Sequence, residues 1–273
     1  MKEASRHKFM RRLHEKRIAK RLCRMYSYMS YRRKCRLYCV GGPKTGTTSV
    51  ASMFIPSIRA AHEPTSRGII EKFIDSPSHS TYDPTLATWV LERDKNLRLD
   101  VDASQLNVYL LEYLVPEFQD ARFLLTMRNP FSWLKSISDH IQRTPSMPEH
   151  WIRYRDYRFR PDLYPHPKQE LILKENGLYS LDGYLSYWST HNRKVLEAVP
   201  PERLMIVKTN EIKSRACGIA HFAGLSEAML IPKASHKNIN TTENSLLSNI
   251  PQGYIEDKVK LHCGDLMEQY FPE

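Results

Sequence analysis

Gly41-Gly42-Pro43-Lys44-Thr45-Gly46-Thr47-Thr48-Ser49 gathers glycines, one lysine and four hydroxyl side chains into nine residues. Such a segment can wrap backbone N–H groups around phosphate oxygens while the lysine supplies charge. A nucleoside-triphosphatase loop of the form GxxxxGK[ST] needs its lysine directly after Gly46, but Thr47 stands there and the lysine comes earlier, at Lys44. Phosphate binding is retained while triphosphate hydrolysis is disfavoured. A tight turn capped by threonines is the other reading of this segment taken alone. A second cluster is Arg128-Asn129-Pro130, with Ser136 eight residues after Arg128. Pro130 suits a first helical turn, which has no partner for the missing N–H, and Ser136 then falls roughly two turns along that helix. A planar guanidinium and a hydroxyl so placed can converge on one phosphate. Taken alone, the Arg-Asn-Pro triplet is equally explained by a salt-bridged arginine at a strand end.

Strands and helices must carry these residues. Arg36–Val40 reads as a short apolar strand that ends at Gly41, and a helix should run from near Thr47 until Pro56. Ser57–Ala61 is a second short strand, Thr65–Pro84 reads as irregular, and Leu97–Val101 is strand-like. Gln105–Leu114 looks helical up to Pro116. Arg122–Met127 (RFLLTM) is a fully apolar strand of the kind buried in a parallel sheet. A helix from Pro130 to about Ile141 follows, then a Pro- and aromatic-rich loop to about Lys168. Leu178–Val199, Ile212–Phe222 and Tyr254–Tyr270 read as helices and Arg203–Val207 as a strand. This alternation predicts an α/β fold: one domain with a central parallel sheet and helices on both faces. Arg128 then sits at a strand's C-terminal end, where open α/β sheets bind ligands.

PKTGTTS resembles the 5′-phosphosulfate loop, close to PKxGTT, of the sulfotransferases that use 3′-phosphoadenosine 5′-phosphosulfate (PAPS). Arg128, Pro130 and Ser136 resemble that family's 3′-phosphate motif, including the spacing from arginine to serine. Gly177-Leu178-Tyr179 with Trp188 is similar to the family's helix beneath the nucleotide, although core packing is the simpler reading of Tyr179 and Trp188. Arg203–Ile212 and Ile219–Leu225 are similar to the strand and helix that follow, so the resemblance runs from about Leu37 to Glu273. It implies a P-loop-like sulfotransferase fold, PAPS as donor and no metal. It implies nucleotide contacts from Lys44, Thr45, Gly46, Thr47, Thr48, Arg128 and Ser136. Lys237, in His236-Lys237-Asn238, occupies the place of a basic loop over the nucleotide.

Sulfuryl transfer needs a cation beside the leaving phosphate oxygen, for which Lys44 is the candidate, and a base for the acceptor proton. His62 and Glu63 follow the second expected strand and so share a sheet edge with the loop. Carbohydrate-modifying relatives use a glutamate about twenty residues after the loop's basic residue, and Glu63 is 19 after Lys44. Relatives acting on phenols and alcohols use a histidine at a later strand end. Here that stretch is Asp100-Val101-Asp102-Ala103-Ser104, without histidine, which leaves Asp102 as a further base candidate. Trp151–Lys168 interleaves aromatics with Arg153, Arg155, Arg158 and Arg160, which suits a lid over a sugar or an anionic acceptor. The expected acceptor is a carbohydrate or glycolipid hydroxyl.

The formal charge of +11 looks like a nucleic-acid signal until it is divided along the chain. Residues 1–36 hold 14 of the 41 Lys and Arg with only Glu3 and Glu15 against them, and the rest of the chain carries about −1. The excess belongs to a basic arm, 1–35, outside the sulfotransferase domain, 36–273. That arm, helical in pattern from Lys8 to Met29, reads as a solvated extension or a contact for an anionic membrane surface. DNA and RNA are not expected partners. The rival readings are a small-molecule kinase with a degenerate loop and a nucleic-acid-binding protein acting through the arm. No apolar run of about 18 residues exists, a secretory leader is not seen, and five cysteines lack metal spacing. These features point to a cytoplasmic protein with reduced thiols.

Overall fold

The computed structural model describes residues 31–74, 82–231 and 246–272. Five strands form one all-parallel sheet: β1 (Leu37–Cys39), β2 (Ala60–His62), β3 (Val101–Ala103), β4 (Arg122–Met127) and β5 (Leu204–Lys208), in the order β2-β3-β1-β4-β5. Leu37 stands opposite Val101 on one side and Arg122 on the other, so β1 is the centre of the sheet. From β1 the chain crosses to the edge strand β2, returns to β3 beside β1, and then passes to β4 on the other side of β1 and on to β5. The sequence order therefore reverses beside β1, which opens a crevice at the C-terminal ends of β1 and β4.

Alternation along each strand feeds two cores. Phe123, Leu125 and Met127 of β4 pack on one face with Tyr38, while Leu124 packs on the other with Leu37, Cys39, Val101 and Ala103. The second face is covered by α1 (Thr47–Phe54) and α9 (Ala216–Phe222), through Val50, Phe54 and Ile219. The first is covered by α4 (Leu111–Glu117), α5 (Pro130–Arg143), α8 (Leu181–Ala198) and α10 (Gln252–Tyr270), through Leu114, Trp133, Trp188 and Val259. Each large apolar side chain so buried contributes about 1.5–3 kcal/mol. Among the described residues, no helix is long and apolar enough to cross a membrane.

The expected strand–helix alternation holds, with three departures. The stretch read as irregular from Thr65 contains α2 (Ser66–Ile74), whose Ile69 and Ile70 are buried. A further helix, α3 (Pro84–Leu97), starts with Asp83 accepting the Thr85 and Leu86 amides, at 2.8 and 3.4 Å. It ends at Arg98, which takes φ +46° and returns its N–H to Asp94 O. The strand expected at Leu97–Val101 therefore begins later, at Val101, just as the second strand begins at Ala60 instead of Ser57. The expected aromatic loop contains α6 (Glu149–Phe159), with Tyr154, Arg155 and Phe159 buried. The short α7 (Leu171–Glu175) completes the helices. The basic arm through Ser30, including its expected helix, lies outside the described residues.

Asp102 serves this frame. Its Oδ2 lies 2.8 Å from Arg93 Nη1, with side-chain exposures of 5% and 3%, and its Oδ1 accepts from Asn107 Nδ2 at 3.2 Å. Arg93 also donates to Thr65 Oγ1 at 2.8 Å and Pro64 O at 3.2 Å, so α3 fixes the turn that follows β2. Asp102 does not line the cavity described below, which corrects its reading as a base candidate. Asp102→Ala should strand a buried guanidinium and cost about 3–5 kcal/mol, whereas replacing both Asp102 and Arg93 by apolar residues should cost much less. Urea unfolding of the single and double variants checks this. Equal losses in the two would show that the charge pairing is not what matters.

Candidate active site

The phosphate loop is clamped from several sides. A Cβ on Gly41 would sit 1.9 Å from Thr126 Oγ1, so only glycine lets β1 pass the end of β4 here. Gly46 takes φ +103°, and a Cβ there would meet Ile212 Cδ1 at 2.3 Å. Three successive carbonyls are held by donors from other segments: Pro43 O by Trp133 Nε1 (2.7 Å), Lys44 O by Arg128 Nη1 (3.2 Å) and Thr45 O by Thr209 Oγ1 (2.8 Å). Gly46 caps α1 without any side-chain bond, so the first N–H groups of that helix keep no side-chain acceptor. Together with the helix dipole this makes a receptive anion site.

The loop forms one wall of a cavity of about 1050 Å³. Lys44, Gly46, Thr47, Thr48, Arg128 and Ser136 all line it, so the two clusters read from the sequence open onto a single space. Lys or Arg outnumber Asp or Glu seven to three along its walls. Burial pushes the Lys44 ammonium below the ordinary lysine pKa, helped by the Arg143 and Arg128 charges and opposed by Asp139. Arg128 donates its Nε to Ser132 Oγ at 3.1 Å, a partner the sequence reading did not include, and burial lowers its pKa too. Trp188 Nε1 donates to Arg128 O at 3.0 Å, and Tyr179 OH donates to Asp156 at 2.7 Å. Both aromatics hold the scaffold and neither lines the cavity. The Thr45 hydroxyl is buried against Gly42 O (2.7 Å) and Thr126 Oγ1 (2.8 Å), where it shapes the loop. Lys237 lies outside the described residues.

His62 and Glu63 face the same cavity from the tip of β2. His62 Nε2 lies 3.1 Å from both Thr47 Oγ1 and Thr48 Oγ1, which ties the ring to the phosphate loop. Burial lowers its pKa, against the opposing pull of Asp102, so the ring is neutral at neutral pH. Glu63 takes φ +51°, with its N–H on Ala103 O at 3.0 Å. Its carboxylate accepts from Ser104 Oγ, and from Gln105 N and Nε2 at 3.2 Å each. Burial raises its pKa and those three donors pull it back down.

A third wall joins His140, which was not foreseen, to residues of the expected lid. His140, on α5, and Arg155 and Arg158, on α6, line the cavity alongside Trp151. Burial, then the charges of Lys44, Arg155, Arg158 and Arg143, push His140 down to about 4. Arg155 and Arg158 belonged to the expected aromatic lid, but they reach the cavity from a regular helix. His140 had no sequence signal beyond its place three turns into the Pro130 helix. Among the described residues, no group of His, Cys, Asp or Glu is arranged to hold a metal ion.

No curated protein sequence matches the chain. Its arrangement is similar to that of a sulfotransferase from Alicyclobacillus acidocaldarius (15% identity, 87% of this chain and 96% of that one, TM-score 0.49). It is also similar to a sulfotransferase domain from the curacin biosynthetic pathway (13%, 89% and 99%, TM-score 0.45) and a sulfotransferase from Mycobacterium avium (11%, 94% and 82%, TM-score 0.48). At such values these likenesses carry nothing about substrates. A family model described as the sulfotransferase domain matches residues 97–213, a span that contains Arg128, Ser136 and the α6 arginines and begins after the phosphate loop. That match makes the segment similar to the sulfotransferase domain, in agreement with the resemblance read from the sequence.

Proposed function

We propose that this protein transfers a sulfuryl group from PAPS to an acceptor hydroxyl, with a carbohydrate or glycolipid as the favoured acceptor. The observation that carries this reading is the opening of Lys44 and Arg128 onto one cavity that Glu63 also faces. PAPS supplies an activated sulfuryl group whose departure leaves charge on a phosphate oxygen. Lys44 and the free N–H groups of α1 are suited to that oxygen, with Thr47 and Thr48 beside them. Arg128 and Ser136 are suited to the 3′-phosphate, as an anion-binding pair on the same cavity. Glu63 takes the acceptor proton. His62, held by two threonine hydroxyls, keeps the loop in register with the tip of β2.

Calorimetric titration with 3′,5′-ADP in a chelating buffer tests the donor site. Wild type should bind without metal and independently of residues 1–34. Arg128→Ala should weaken binding by about 10–100-fold, the worth of a charge-assisted hydrogen bond. Lys44→Ala should instead lower turnover of radiolabelled PAPS by about 10²–10³-fold, more than it lowers affinity. Wild type that gave no heat with 3′,5′-ADP would refute the reading. The base has its own test. Because burial holds Glu63 above the ordinary carboxylate pKa, turnover should rise with pH through a limb displaced upward from that of a free glutamate. Glu63→Gln should remove this limb and cost about 10²–10⁴-fold in kcat/KM. An acid limb that survives the substitution would move the role to His62.

A further inference from the structure

Arg155 and Arg158 carry charge that the fold leaves unbalanced. Arg155 is only 7% exposed, and its Nη2 reaches neutral acceptors, Thr144 Oγ1 at 3.0 Å and Thr144 O at 3.4 Å. Arg158 donates Nη1 to Gln105 Oε1 at 2.6 Å, while its buried Nε has no partner. Its guanidinium lies over the rings of Phe159 (4.4 Å) and Tyr154 (5.0 Å), which fixes the direction of its remaining donors. Among the described residues, neither arginine forms an ion pair with a carboxylate. The two charges also oppose each other: burial first and the Arg158 charge second lower the Arg155 pKa. Like charges removed from water without a counter-ion cost several kcal/mol. A fold tolerates this where a ligand brings the opposite charge.

The donor's phosphates are already provided for by Lys44, α1 and Arg128. The α6 arginines belong to the side of the cavity that holds the base, because Gln105 links them to it. Its Oε1 accepts from Arg158, while its N and Nε2 donate to Glu63. That single amide sets the spacing between an anion on the wall and the proton that Glu63 removes. We propose that Arg155 and Arg158 bind an anionic oxygen group, a carboxylate or a sulfate ester, on the acceptor, so that the substrate is an acidic molecule sulfated on a nearby hydroxyl. This rests on the sulfuryl-transfer reading and narrows its acceptor class.

The test uses the full chain saturated with 3′,5′-ADP and inorganic sulfate as the probe, against chloride at equal ionic strength. Sulfate should raise the wild-type melting temperature, and Arg155→Gln or Arg158→Gln should each weaken apparent sulfate affinity by about tenfold. Affinity for 3′,5′-ADP should stay within about threefold, a change under 0.7 kcal/mol. Arg158, only half-buried, carries the test if the Arg155 variant folds poorly. An undiminished sulfate response in Arg158→Gln would overturn the assignment. So would a tenfold loss of 3′,5′-ADP affinity, which would give these arginines to the donor. Failure of wild type to bind 3′,5′-ADP would overturn the sulfuryl-transfer reading itself.

Discussion

The approach of Gly41 to Thr126 is the contact on which the cavity depends. β1 and β4 are adjacent parallel strands, and their tips can lie this close only because residue 41 has no side chain. Thr45 Oγ1 then reaches across to Thr126 Oγ1 at 2.8 Å and closes the loop onto β4. Two residues past Thr126 comes Arg128, and three past Gly41 comes Lys44, so their cations face one space by construction. The Arg128 Nη1 bond to Lys44 O makes the dependence explicit: one half of the anion site holds the backbone of the other half. Thr209, at the end of β5, adds bonds to Thr45 O at 2.8 Å and Met127 O at 3.2 Å. Three parallel strand ends are thus stitched into one rim.

Charge is handled differently in the frame and in the cavity. Arg93 meets Asp102, and Asp182 takes both Lys258 (2.6 Å) and His262 (2.7 Å), so at these two places in the frame charge is matched. In the cavity Lys44, Arg128, Arg155 and Arg158 point at space or at neutral acceptors. Burial lowers the pKa of Lys44, Arg128 and Arg155, which measures the work of keeping those charges there. A sequence optimised for stability alone would pair or remove them. The contrast separates arginines that hold the fold from arginines that await a ligand, although the residue type is the same.

Much of this was legible in the sequence where local chemistry decides the outcome. RFLLTM folds as the strand Arg122–Met127 because an unbroken apolar run buried on both faces has few other uses. PKTGTT declares its turn through Gly46, whose φ of +103° L side chains rarely adopt. The misses have physical reasons as well. α2 is a short amphipathic helix followed by Ser-, Pro- and His-rich sequence that masked it, and α6 carries so many polar residues that helical periodicity is faint, its buried face itself including Arg155. α3 did carry a readable start, Asp83 before Pro84, which composition obscured. His140 stayed hidden, and Arg155 and Arg158 were legible only as part of a lid, because the three converge by tertiary packing of two helices, and no spacing along the chain encodes that. Asp102 was misread for the converse reason: a residue type fit for proton transfer is paired with Arg93 in the frame.

The division of labour between His62 and Glu63 follows from the same frame. Both sit at one strand tip, yet their surroundings drive them apart. The imidazole is buried beside two hydroxyls, and that burial lowers its pKa. The carboxylate is buried too, but burial makes an acid's conjugate base stronger, while the three donors from Ser104 and Gln105 oppose that rise. A left-handed backbone at Glu63 is an unfavourable conformation for a non-glycine residue. It is retained because Arg93 grips the next two residues and Asp102 grips Arg93. In the proposed reaction the buried ion pair would aim the base without touching substrate, and the strain it enforces would lie where the proton is accepted.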